Sequence, residues 1–190
     1  QAVSRGLGDV YKRQVFGIIL GSGCGGGLVI NKKIISGANG LGGEWSLNQM
    51  PLTNTPNLKS DKILNFSNRL EGYLSGKSIE NRFNKQFNEN ISAKEVFSRY
   101  RKKDSSAILF INEYKDILAR CLVIIVTTLD PDAIVFGGGI SNEIDFLDQI
   151  KKKTSSFINE PNLKTVFLKP KYGDASGVRG AAILSRQSSI

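Results

Sequence analysis

The sequence predicts an α/β fold, a short antiparallel meander followed by helices that alternate with strands. Two observations carry that expectation. Apolar, β-branched runs separated by glycine and Asn-Lys-Lys turns crowd the front of the chain, whereas apolar residues at three- and four-residue intervals dominate after residue 105. A short apolar strand, Ala133 to Phe136, then runs straight into Gly137-Gly138-Gly139, punctuation that joins a strand to a helix.

In chain order, Val15 to Leu20 enters a glycine cluster, Gly21, Gly23, Gly25, Gly26 and Gly27, and the apolar run resumes at Leu28 to Ile30. Strands are expected over roughly 15–20, 27–31 and 33–36, with the glycines at the tip of the first hairpin. A polar loop follows from Gly37 to about Ser60, and shorter amphipathic helices are expected around 69–74, 78–86 and 92–101. Leu109, Tyr114, Ile117, Leu118, Cys121 and Ile125 mark the apolar residues of a long helix over 105–128, which Asp104 or Ser105 can cap. After the strand at 133–136, a helix over about 142–157 has Ser141 as its expected N-cap, with Glu143 in the first turn. A strand at 164–168 and a terminal helix from about Ser176, capped by Asp174 or Ser176, complete the chain. It holds no internal repeat and no low-complexity linker.

Composition narrows the function classes. Hydrophobic content of 40% and charged content of 23% fit a soluble globular protein. The segment from Ala107 to Leu129 comes nearest to a membrane span, but Glu113, Lys115, Asp116 and Arg120 interrupt it, so no membrane partner is expected. The formal charge is +9. The basic runs Arg101-Lys102-Lys103 and Lys151-Lys152-Lys153 lack interleaved aromatics, so solvated faces are expected and no nucleic-acid partner. A generally positive surface also attracts ATP and sugar phosphates. Cys24 and Cys121 are far apart and fit no metal or redox spacing, which suits free thiols in a reducing cytoplasm.

Chemistry concentrates in three glycine-rich places. The hairpin tip at Gly21, Ser22 and Gly23 offers bare backbone N–H groups that can wrap a phosphate. It is neither a dinucleotide fingerprint, since it leads into a strand, nor a Walker loop, since it lacks the lysine. The turn at Gly137, Gly138 and Gly139 follows a strand and precedes a helix, where a nucleotide can lie against bare backbone. The loop Gly37-Ala38-Asn39-Gly40-Leu41-Gly42-Gly43-Glu44-Trp45 ends in a carboxylate beside an indole. A carboxylate accepts two sugar hydroxyls at once, and Trp45 suits either a sugar platform or a core position.

These segments resemble the ROK family of bacterial sugar kinases and sugar-responsive repressors, and within it the fructokinase (manno-fructokinase) branch. The hairpin and the Asn39 to Trp45 loop match that branch's Gly-Thr-Gly-x-Gly-x-Gly and Gly-x-Asn-Gly-x-x-Gly-Glu-Trp patterns. Leu129-Asp130-Pro131-Asp132, continuing to Ser141, and Tyr172-Gly173-Asp174 with Ser176-Gly177-Val178-Arg179-Gly180 resemble two later family elements. The resemblance covers residues 15 to 186 and implies the actin-like ATPase (ribonuclease H-like) fold, here the C-terminal half of a ROK kinase. It implies an ATP-dependent hexose kinase that uses Mg²⁺, with Glu44, Glu71 and Asn39 as sugar contacts. By the same resemblance Gly21, Ser22, Gly23, Gly137, Gly138 and Gly139 bind ATP, and a homodimer is expected. N-acetylglucosamine or glucose kinase is the alternative within the class, and a sugar-responsive repressor the alternative outside it.

The resemblance also marks what this chain lacks. The family's catalytic aspartate lies in an Asn-Asp pair upstream of the hairpin, so no catalytic residue is expected in this chain, and none is supplied by histidine, whose count is 0. Relatives bind a structural zinc through one histidine and three cysteines. Ser46-Leu47 stands where Gly-His is expected, and Lys62, Leu64 and Arg69 occupy the cysteine positions, so no zinc is expected. Residues 1–14 fall outside the pattern. Asp9-Val10-Tyr11-Lys12-Arg13-Gln14 can be encoded by GAT GTG TAT AAG AGA CAG, which resembles a transposon-end adaptor, so the stretch is expected to be non-native. The expected organisation is therefore 1–14 adaptor-derived, 15–175 the sugar- and nucleotide-binding lobe, and 176–190 a terminal helix returning to an N-terminal lobe.

Overall fold

The computed structural model describes residues 13–50 and 69–170. Strands β1 (Gln14–Leu20), β2 (Cys24–Ile30), β3 (Lys33–Ile35), β4 (Ala133–Gly137) and β5 (Val166–Leu168) form one mixed sheet in the order β3-β2-β1-β4-β5. The meander pairs antiparallel, while β1 with β4 and β4 with β5 pair parallel. The expected α/β class is what the chain adopts. Asn31 and Lys32, both at positive φ, close the tight turn between β2 and β3.

The sheet corrects the expected hairpin. β2 begins at Cys24, so the tip shrinks to Gly21–Gly23, and Gly25, Gly26 and Gly27 lie in the strand opposite Ile19, Ile18 and Gly17. The cause is close packing. A Cβ on Gly26 would stand 2.7 Å from Trp45 Cδ1, and one on Gly43 would stand 2.6 Å from Gly27 Cα. A smooth, side-chain-free strand lets the loop from β3 lie flat upon it. Trp45 seals that contact, donating its indole N–H to the Gly25 carbonyl at 2.9 Å and meeting Phe16 edge-on. It is 4% exposed and belongs to the core, which decides between its two expected uses.

Six α-helices follow among the described residues: α1 (Glu71–Leu74), α2 (Gly76–Phe87), α3 (Ala93–Arg101), α4 (Ser105–Leu129), α5 (Gly139–Glu143) and α6 (Leu147–Phe157). Side-chain caps set three starts: Ser75 accepts from Ser78 N–H, Ser92 from Glu95 N–H and Asp104 from Ala107 N–H. The α4 helix lies through the core with Phe110, Tyr114, Leu118 and Leu122 fully buried. A smaller cluster of Val15, Ala133 and Val135 stands apart from that core. No helix among the described residues is long and apolar enough to cross a membrane.

The single helix expected over 142–157 is two. Ser141 lies inside α5 and, instead of capping, donates its hydroxyl to the Gly137 carbonyl at 2.7 Å. The chain extends at Ile144 because the core takes in Ile144 and Phe146. Phe146 stacks on Phe97 and meets Tyr100 edge-on, and α6 starts only at Leu147. At the other end, β1 takes in Gln14, one residue ahead of the expected boundary. Arg13 and Gln14 donate their N–H groups to Asp132 Oδ2 at 2.7 and 2.8 Å. Lys62, Leu64, the terminal helix with Asp174 and Ser176, and most of residues 1–14 lie outside the described residues.

Candidate functional site

Because β1 and β4 run parallel and adjacent, the turns that follow them emerge on one edge of the sheet. Ile19 pairs with Gly137, the last residue of β4. Gly138 has φ +91, and a Cβ there would stand 2.5 Å from the Leu20 carbonyl oxygen. Only glycine fits that approach. The hairpin tip and the triple-glycine turn are thus neighbours.

The corner between α1 and α2 completes the edge. Gly76 N–H donates to the Gly21 carbonyl at 2.7 Å, and Cys24 N–H donates to Glu71 Oε1 at 3.3 Å. A Cβ on Gly23 would stand 2.8 Å from that same carboxylate oxygen. One corner therefore grips both ends of the Gly21–Gly23 tip. The corner is itself anchored on α4: the buried Tyr114 hydroxyl donates to the Leu74 carbonyl, and Arg82 pairs with Glu113 at 2.7 Å. Burial holds the Arg82 guanidinium below its ordinary pKa, against the pull of Glu113. The same guanidinium lies over the rings of Tyr73 and Phe110.

The tip's donors differ from expectation. Gly21 N–H turns inward to the Gly23 carbonyl at 2.9 Å, closing the tight turn. That leaves the N–H groups of Ser22 and Gly23 and the exposed Ser22 hydroxyl without a partner among the described residues. Space for an anion is present: a Cβ on Gly21 or on Gly139 would meet nothing within 4 Å. Bare backbone opening onto free space is the arrangement a nucleotide needs.

Ser22 and Glu71 share a cavity of about 380 Å³ with Arg69, Ser75, Lys77 and Asn81. Glu44 opens instead into a second cavity of about 290 Å³, beside Leu41, Trp45, Asn48 and Thr128. Asn39 is exposed on the loop after β3 and lines neither. The Cys24 thiol lies in the field of both glutamates. Burial, then the charge of Glu71, then that of Glu44 push its thiol from 9.0 up to about 12. Sequence reasoning missed Gly76, Lys77 and the part played by Cys24. The serine-glycine pair before an amphipathic run was the available signal for Gly76; nothing local pointed to the others.

Among the described residues no group of three or more His, Cys, Asp or Glu can hold a metal ion. Arg69, at one of the positions where the family resemblance implies a zinc cysteine, lines the cavity of Glu71. The donor set therefore fits nucleotide phosphates and sugar hydroxyls. It offers no cage for a cation, so Mg²⁺ would be carried by the phosphates.

The ROK family's sequence profile matches residues 8–188, and the chain belongs to that family. It is 35% identical over 176 residues to an N-acetyl-D-glucosamine kinase of Yersinia enterocolitica, covering 90% of this chain and 58% of that protein. An N-acetyl-D-glucosamine kinase of Mannheimia succiniciproducens is 38% identical over the same shares. The fold matches a ROK family glucokinase from Streptomyces griseus, solved with glucose and AMPPNP, at a TM-score of 0.77 and 24% identity. That match covers 98% of this chain and 66% of the other. The chain thus has the actin-like ATPase fold and spans 58% of the length of these curated relatives.

Proposed function

We propose that this chain is the acceptor- and nucleotide-holding half of an ATP-dependent hexose kinase, with N-acetylglucosamine as acceptor. The observation that carries the reading is the grip of Glu71 and Gly76 on the Gly21–Gly23 tip. It sets a carboxylate able to accept sugar hydroxyls directly beside a turn whose bare backbone faces open space. Acceptor and phosphate would meet across that contact, and phosphoryl transfer is governed by such positioning.

In this reading Ser22 and Gly23 donate to the phosphates of ATP, and the Gly137–Gly139 turn receives the nucleoside. Glu71 orients the acceptor from its own cavity, while Glu44, in the second cavity, and the exposed Asn39 stand outside that contact. Mg²⁺ supplies charge neutralisation between the phosphates. The aspartate base expected from the family lies upstream of the hairpin. Fructose was the acceptor expected from the loop wording. The names of the relatives favour N-acetylglucosamine, and both sugars offer the adjacent hydroxyls a carboxylate can accept. A cytoplasmic homodimer completes the proposal, on the strength of the family resemblance.

A hexose panel tests it. The reading frame extended to the length of the relatives should consume ATP with N-acetylglucosamine at a kcat/KM at least about tenfold above that with fructose or glucose. Preference for fructose would return the acceptor to the branch first expected. No ATP consumption with any hexose, alongside sugar-dependent DNA binding, would make the protein a regulator.

A further inference from the structure

Lys115 lies in the first half of α4 with 2% exposure, and among the described residues no carboxylate pairs with it. Its ammonium donates to three neutral oxygens: Tyr100 Oη at 2.6 Å, Gln149 Oε1 at 2.9 Å and Asn112 Oδ1 at 3.4 Å. The rings of Phe146 and Tyr100 lie 4.4 and 4.7 Å away, centroid to nitrogen. By contrast Arg82, Arg99, Arg101 and Lys153, all more exposed, each meet a carboxylate. Dipoles and ring faces solvate an ammonium but leave its charge uncancelled, and low-dielectric walls carry that field outward.

The field opens into a cleft of about 700 Å³ between the end of α3, the start of α4 and the start of α6. Its rim carries Lys103 and Arg101, the latter paired with Glu143, against the further carboxylate of Asp145. Lys103 is held at φ +63 by its N–H bond to the Tyr100 carbonyl, and Arg101 is braced by Glu143 at 2.8 Å. Cations at floor and rim, with the polar Asn112 and Gln149 between them, suit a compact anion that also carries hydroxyl groups.

We propose that this cleft binds a small phosphorylated metabolite, a phosphate monoester of a polar compound, at a site separate from the Gly21–Gly23 edge. None of the residues in the proposed kinase site lines the cleft. The proposal stands whether or not the kinase reading does.

Calorimetric titration of the 190-residue chain with inorganic phosphate and with glucose 6-phosphate tests it. Both should bind, the ester more tightly, and the exposed pair Arg101→Gln and Lys103→Gln together should weaken each at least tenfold. Lys115→Met should abolish binding, and if that variant fails to fold the rim pair decides alone. Binding of inorganic phosphate with no gain from the ester makes the site a plain anion site and overturns the monoester. Absence of binding by both probes at millimolar concentration overturns the proposal. So does binding that the rim pair leaves intact, or that Ser22→Ala abolishes instead.

Discussion

Glu71 holds the Gly21–Gly23 tip with one carboxylate oxygen, and in the proposed reading the other meets the sugar. Gly23→Ala would set a Cβ 2.8 Å from Oε1, so the carboxylate must move. Losing the charged hydrogen bond from Cys24 N–H would cost up to about 1.5–3 kcal/mol, so Tm should fall by several degrees in thermal melts. Cys24 reports the same contact chemically. Its thiol, pushed up to about 12, keeps its proton at pH 8, so iodoacetamide should leave it unlabelled in the folded chain. Labelling should rise only as pH approaches that value, because the thiolate is the nucleophile. Glu71→Gln removes a charge that opposes ionisation, lowers the thiol pKa and should speed labelling. Unchanged labelling after that substitution would separate Cys24 from Glu71.

At the scale of elements, what was legible depended on whether the cause was local. The strands, the long helix and its Asp104 cap were readable because periodicity and capping act within a few residues. Asp104→Ala should accordingly cost about 1 kcal/mol, and thermal melting should show Tm lower by roughly 2–4 °C. The glycines of β2 read as a turn because composition alone cannot reveal a loop pressed flat on the strand. Gly43→Ala tests that packing: at φ +92 with Gly27 Cα 2.6 Å from the added carbon, it should destabilise by about 1–3 kcal/mol in denaturant melts. Ser141 read as a cap because its sequence neighbours allow one, while burial of Ile144 and Phe146 broke the helix. The Cys24 to Glu71 contact spans 47 residues, beyond any local pattern. Glu71 itself was found through family resemblance, and its partner was not.

Across the whole molecule, the sheet edge gathers three distant segments: the hairpin tip, the α1–α2 corner and the triple-glycine turn. The binding surfaces proposed lie on this chain, and catalysis is proposed for a protein of the relatives' length, of which the chain spans 58%. The most direct measurement compares that protein with its Glu71→Gln variant, following phosphorylation of N-acetylglucosamine and binding of AMPPNP side by side. The account predicts a loss of turnover with sugar of about 10²-fold or more, with AMPPNP affinity kept within about twofold. Full turnover in the variant, or nucleotide affinity lost together with it, would contradict the account.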